Sequence, residues 1–199
     1  MKLICGVGVN DSNYKTSKEI IVAGKRKMVW VCPFYLKWKS MITRCYSPKS
    51  ITLKPTYEVC SVAPEWHYFM TFRAWMETQD WEGKSLDKDI LFPGNKIYGP
   101  ETCVFIDQRV NTFLTDSKAA RGEWPIGVSF NKVKLKFEAY GYDSASLRRK
   151  YLGSFNCPDE AHKTWLSHKI LQAHALAAQQ KDERVATALI NRYENYHQF

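Results

Sequence analysis

The sequence predicts a mixed α+β protein, and three observations carry that expectation. Residues 32–46, "CPFYLKWKSMITRCY", repeat apolar side chains at three- and four-residue spacing, the period of an amphipathic helix. Residues 83–115 run strand, turn-rich loop, strand, helix. Residues 125–155 alternate apolar and basic side chains at period two and then give way to a helical pattern, which predicts antiparallel strands covered by a helix. A chain of 199 residues can bury about 70% of its unfolded surface. Apolar content of 45% beside 25% charge excludes a disordered chain.

Taken in order, residues 1–31 mix turn residues ("GVGVNDSNY") with β-branched runs ("EIIVAG", "MVWV"), a small hairpin-like lead-in. From Pro33, a favoured first-turn residue, Tyr35, Trp38, Met41, Ile42 and Cys45 line one helix face, with Lys37, Lys39 and Arg44 elsewhere on the wheel. A second helix is predicted in "APEWHYFMTFRAWMETQ", residues 63–79, around Trp66, Phe69, Met70, Arg73 and Trp75. Aromatics at this spacing face a core rather than bases, and His67 is read as a surface or satisfied histidine.

The segment "GKSLDKDIL" reads as a strand, "FPGNKIYGP" as a loop and "ETCVFI" as a buried strand, and Asp107 is placed to cap the helix "QRVNTFLT". Residues 116–125, "DSKAARGEWP", are polar and end in Pro, so a linker is expected there, between a domain at 1–115 and one at 126–199. Beyond it, "PIGVSFNKVKLKFEAYGYD" and "RRKYLGSF", joined by a polar turn, predict three strands. The helix "NCPDEAHKTWLSHKILQAHALAAQQ" opens on Asn156 as cap, Pro158 and two acids, and continues with Ala161, Trp165, Ile170 and Leu171 on a helical period. The helix "ERVATALINRYENY" follows.

The net charge of +9 and a pI near 9.2 point to a polyanionic partner, since each cation set against a phosphate releases a counterion. The six cysteines form no CxxC pair, which excludes zinc-ribbon and thioredoxin-like motifs and leaves buried free thiols. No apolar leader and no run of about 18 apolar residues occurs, so a cytosolic, reduced protein is expected.

Two regions carry chemistry. Hard divalent cations prefer oxygen ligands, and Asp87 on the first strand of the 83–115 unit with Asn111 on its helix makes a sensible pair for one divalent cation. Lys132, Lys134, Lys136, Arg148, Arg149 and Lys150 give six positive charges against Glu138 and Asp143, where a solvated face normally shows mixed signs. Strands of this kind enter the major groove with Arg and Lys on base edges or phosphates, which makes double-stranded DNA the expected partner.

The 86–111 stretch resembles the HNH, or ββα-metal, unit of phage homing endonucleases, whose motif runs Asp-His, then a strand such as "DNL", then an Asn nine residues beyond the middle Asn. Setting "ETC" on "DNL" places Thr102 at the middle Asn and Asn111 nine residues later. "LDKD" then places Asp87 at the metal-binding Asp and Lys88 where the family has its catalytic His. Imidazole titrates near pH 6.5 and accepts a proton at neutral pH, whereas lysine starts near 10.4. Lys88 is thus expected to bind phosphate or stabilise charge, and Asp89 is the local substitute for the base. A one-residue slip would put Asp87 itself at the histidine position. The lead-in "YLKWKSMITRCY" and "YEVCSVAPEW" is similar to that of the same phage proteins, with Ala63 where they carry a second cysteine. Residues 126–166, with "GV", "YLGSF" and "DEA", resemble the three-stranded DNA-binding domain of plant ethylene-response factors, which also occurs on phage HNH proteins. These resemblances imply a metal-dependent DNA endonuclease, with Asp87 and Asn111 holding Mg²⁺ or Mn²⁺, Thr102 supporting the site and Asp89 or a metal-bound hydroxide in place of the histidine, guided by a carboxy-terminal DNA-binding domain in a bacterial host cytoplasm. The alternatives are a catalytically lapsed DNA-binding protein with a regulatory or protective role, or a basic protein that binds a host protein.

Overall fold

A computed structural model of the chain describes residues 3–115, 122–143 and 148–196. The order is β1 (Ser17–Val22), β2 (Lys25–Val31), α1 (Pro33–Tyr46), α2 (Pro48–Leu53), β3 (Ser61–Val62), α3 (Phe69–Glu77), β4 (Ser85–Asp87), β5 (Ile97–Tyr98), β6 (Val104–Ile106), α4 (Gln108–Leu114), β7 (Val128–Asn131), β8 (Lys136–Asp143), β9 (Arg148–Phe155), α5 (Pro158–Ala177) and α6 (Glu183–Glu194). The mixed α+β class is as expected. Among the described residues no helix is long and apolar enough to cross a membrane.

The chain divides into two compact units, Met1–Ile106 and Asp107–Phe199. The division falls ahead of the expected linker, so that α4 groups with the second unit. Of that linker, residues 116–121 lie outside the described residues, as does the polar turn at 144–147.

The first unit is built on an aromatic core. Trp38, Met41, Ile42 and Cys45 of α1 are buried, and Trp38 meets Phe69 at 5.5 Å between ring centroids while its Nε1 donates to the Trp66 carbonyl at 2.8 Å. Trp66 continues the cluster onto Phe72 and Trp75, and Trp75 stacks on Phe105 of β6. Burying each such ring is worth about 2–3 kcal/mol; Trp38, Trp66, Phe69 and Phe72 are core, Tyr35 and Trp75 pack partly buried against it, and Tyr68 is exposed. The second helix is shorter than expected. Residues 64–67 form a 3₁₀ turn and α3 begins at Phe69, because the backbone between them pairs with Val9: Val9 N donates to the His67 carbonyl and Phe69 N to the Val9 carbonyl. His67 Nε2 is satisfied by the Val62 carbonyl at 3.0 Å.

Strand β4 pairs antiparallel with β6, Leu86 opposite Phe105 and Asp87 opposite Val104. The expected strand at 83–91 shrinks to three residues for a local reason: Asp87 Oδ1 accepts the backbone N–H groups of Asp89 and Ile90, both at 2.8 Å, and turns the chain. The loop beyond it contains β5, which pairs parallel with β3 and which no periodicity announced. Cys32, Cys45, Cys60 and Cys103 are buried free thiols as expected; Cys5 is exposed and Cys157 half-buried. Burial pushes the Cys45 and Cys103 thiols up to about 12, which makes both inert.

In the second unit β7, β8 and β9 form one antiparallel sheet in that order. Helix α5 lies across one face, and the packing demands glycine twice. A Cβ on Gly127, whose φ is +82°, would stand 2.1 Å from the Trp165 ring, and one on Gly141 would stand 2.3 Å from the His168 ring. Helix α6 covers α5 through Val185, Leu189 and Tyr193. Phe113 of α4 meets Tyr193 at 5.1 Å, and its carbonyl accepts from both Lys169 Nζ and the Tyr193 hydroxyl.

Three local expectations are corrected. Asp107 occupies the N-cap of α4 but makes no capping hydrogen bond. The N-cap of α5 is Cys157 rather than Asn156, with Pro158, Asp159 and Glu160 in the first turn. The "KVKL" stretch, residues 132–135, is a turn, not strand: Asn131 Oδ1 accepts the N–H groups of Val133 and Lys134, both at 3.0 Å, and Leu135 adopts a φ of +52°.

Candidate functional site

Asp87, Lys88, Asp89 and Thr102 all fall in the first unit and Asn111 in the second. The end of β4 and the turn after it carry the first three, each engaged through at least one atom. Asp87 spends Oδ1 on the two N–H groups that turn the chain, while Oδ2 has no protein hydrogen bond among the described residues. Its carboxyl lies above the ordinary carboxylate value: burial is the main cause and the nearby Asp89 adds to it, against the two N–H donors and the Lys88 ammonium.

Lys88 points inward. Its side chain is 6% exposed, and Nζ donates to Asp89 Oδ1 at 2.6 Å and to the Asn95 carbonyl at 2.9 Å, over the Tyr98 ring at 5.7 Å. Asn95 holds the loop from the other side, with Nδ2 donating to the Lys88 and Ile97 carbonyls and Oδ1 accepting from Ile97 N. Thr102 Oγ1 donates to the Ile97 carbonyl at 2.8 Å. Lys88 and Thr102 therefore hold a loop closed, and neither aims a group outward. The Asn111 backbone N–H donates to the Asp107 carbonyl within α4, and its carbonyl accepts from Thr115 Oγ1.

A divalent cation at this loop would be offered Asp87 Oδ2 and the half-exposed second oxygen of Asp89, beside an ammonium group that repels it. The residues of the first unit do not by themselves make up a donor set for Mg²⁺ or Mn²⁺. Among the described residues no group of three His, Cys, Asp or Glu side chains converges.

The sheet of the second unit is arranged differently. Residues opposite each other in an antiparallel pair share a face, and Gly141 turns one face toward α5. The outer face therefore carries Lys136, Glu138, Tyr140 and Tyr142 of β8, Asn131 and Ser129 of β7, and Arg149 and Tyr151 of β9. Lys150 registers with Gly141 and Arg148 with Asp143, which sets both on the α5 side; burial and then the Lys150 ammonium hold His168 below its ordinary value. Lys132 and Lys134 stand in the turn. All six predicted cations are exposed, and Lys134, Lys136 and Arg149 serve the outer face.

Glu138 is the one carboxylate on that face among the described residues, and it is fully engaged. It accepts from the Tyr140 hydroxyl at 2.8 Å, Lys134 Nζ at 3.0 Å and Asn131 Nδ2 at 3.0 Å, bonds that hold it below the usual carboxylate range. The Arg149 guanidinium lies 3.6 Å from the Tyr140 ring centroid, and Tyr151 meets Tyr140 at 5.5 Å. Sequence reasoning missed these tyrosines. The signal was present, since Tyr140 and Tyr142 stand in phase with Lys136 at period two.

No family model, curated protein or solved structure matches this chain.

Proposed function

We propose that the chain binds double-stranded DNA through the outer face of the sheet β7–β8–β9. The observation that carries this reading is a face on which Lys136 and Arg149 stand among Tyr140, Tyr142 and Tyr151 while its one carboxylate among the described residues, Glu138, is already paired with Lys134 and bonded by two further donors. Arg149, held over the Tyr140 ring, offers a guanidinium fork of the kind that recognises guanine or phosphate bidentately. The sheet, stiffened from behind by α5, would sit in the major groove.

The test is fluorescence anisotropy of the full chain on a labelled mixed-sequence duplex over a salt series. Each phosphate contact contributes about 0.9 to the slope of log affinity on log salt. Lys136→Ala/Arg149→Ala should lower that slope by about 2 and the affinity at 0.15 M salt about thirtyfold. Affinity and slope equal to those of the unmodified chain would refute the reading.

A second reading, metal-dependent DNA endonuclease, is favoured by the order of β4, loop, β6 and α4 with β4 and β6 antiparallel, and by the unengaged Oδ2 of Asp87. It expects cleavage with Mg²⁺ or Mn²⁺ that an Asp87→Ala/Asn111→Ala variant lacks. Equal rates for the two proteins reject it and leave DNA binding standing.

A further inference from the structure

The hairpin β1–β2 stands exposed on both faces, with Ile21 75% and Trp30 42% exposed and every residue from Lys18 to Trp30 open to solvent. A two-stranded ribbon that buries so little is marginal by itself, and among the described residues none from Lys18 to Trp30 belongs to the core cluster of the first unit. Its turn, Ala23–Gly24, has φ of +49° and +74°, the geometry of a tight two-residue hairpin turn.

The register, which slips by one residue at Val29 between the Glu19–Met28 and Lys18–Trp30 pairs, sorts the side chains. Lys18 faces Trp30, Ile20 faces Lys27 and Val22 faces Lys25, so one face carries three ammonium groups, three apolar side chains and no acid. The lone acid, Glu19, lies on the other face with Met28, Ile21 and Arg26. Lys18 Nζ sits 5.7 Å from the Trp30 ring centroid. Six residues of strand span about 20 Å, and a ribbon of two strands about 5 Å apart, with its side chains, fits a major groove about 12 Å wide.

We propose that the Lys18/Ile20/Val22/Lys25/Lys27/Trp30 face of this hairpin is a second DNA contact, laid in the major groove of a duplex. The lysines meet phosphates or guanine edges, and Ile20 and Val22 meet thymine methyl groups. This site stands on residues of the first unit and does not rest on the sheet reading, although the partner class is the same.

The experiment uses the full chain and a labelled 24-base-pair duplex. Lys18→Ser/Lys25→Ser/Lys27→Ser should lower the salt slope by about 2.7 and the affinity at 0.15 M salt on the order of a hundredfold, with an unchanged urea midpoint. The Lys→Gln triple variant, which keeps side-chain length, should do the same. Ile20→Ser/Val22→Ser should weaken binding without altering the slope. Lys136→Ala/Arg149→Ala is measured alongside: if only the sheet reading fails, that variant binds normally and the hairpin variants alone lose affinity. Unchanged affinity and slope in both lysine variants overturn the hairpin proposal. So does loss of binding to phosphatidylglycerol vesicles, or of self-association in the ultracentrifuge, with DNA binding intact.

Discussion

The pair Lys88–Asp89 is lopsided, and that asymmetry makes a quantitative prediction. The Lys88 side chain is 6% exposed and that of Asp89 48%, so truncating one partner leaves a buried cation and truncating the other leaves a carboxylate that water reaches. Breaking a buried ion pair costs about 3–5 kcal/mol because the surviving charge is left uncompensated. Asp89→Ala leaves Lys88 only the Asn95 carbonyl and the Tyr98 face, and should cost about 3 kcal/mol, the low end because Asp89 is half solvated. Lys88→Met loses a charge-assisted bond, about 1.5–3 kcal/mol, but also removes the burden of burying an ammonium, so about 1–2 kcal/mol is expected. With a urea dependence of about 2 kcal/mol/M, the midpoints should fall by about 1.5 M and about 0.7 M respectively. Asp89→Asn, which keeps an oxygen for Lys88, should lie between them. Equal costs for Asp89→Ala and Lys88→Met, or a cost below about 1 kcal/mol for Asp89→Ala, would refute the assignment of Lys88 as a structural cation. In that case the lysine is free to meet a phosphate.

Three further outcomes follow from the geometry. Burial raises the folded Asp87 carboxyl above its unfolded value, so its contribution to stability is full below pH 4 and is lost as pH rises through the folded value; Asp87→Asn should flatten that fall in urea midpoints taken from pH 4 to 7, whereas Asp87→Ala should destabilise at both ends by orphaning the Asp89 and Ile90 N–H groups. Burial, with Arg192 nearby, brings the Lys169 amine from 10.5 down to about 7, so the unfolded chain holds more protons between those values and stability should rise with pH across that window. Lys169→Met should abolish the rise, with the Phe113 carbonyl still held by Tyr193. Gly127→Ala should cost about 3 kcal/mol or more, from a left-handed φ and a Cβ 2.1 Å from Trp165, and should remove sheet-dependent DNA binding; circular dichroism and urea unfolding check it.

Most of the fold was legible because its elements follow local periods. The helix at Pro33–Tyr46 announces itself through Trp38, Met41, Ile42 and Cys45, and the sheet through the alternation of 136–143. What was illegible depends on single side chains overriding a period. Asn131 turns "KVKL" out of the sheet, Asp87 ends β4 after three residues, and pairing with Val9 delays α3 to Phe69. Each is a long-range or side-chain-to-backbone bond that alternation does not encode. The short parallel pair β3–β5 joins residues 36 positions apart with two residues each, too little pattern to read.

The acidic loop shows why motif spacing alone carries less than it suggests. An Asp followed two and three residues later by free N–H groups is a turn-former in any protein, and in this loop Asp87 performs that task with one oxygen. The lysine next to it, read by spacing as occupying a base position, is pulled inward by Asp89, Asn95 and Tyr98. Turn formation and metal binding therefore draw on the same residue types but on different oxygens, Oδ1 for the first and Oδ2 for the second. Asp87→Asn preserves the turn and removes the anionic oxygen, so it separates the two roles where alanine merges them. If Mn²⁺ raises the urea midpoint of the unmodified chain and leaves that of Asp87→Asn unchanged, Oδ2 is a metal ligand. If both midpoints respond alike, the aspartate is there for the turn.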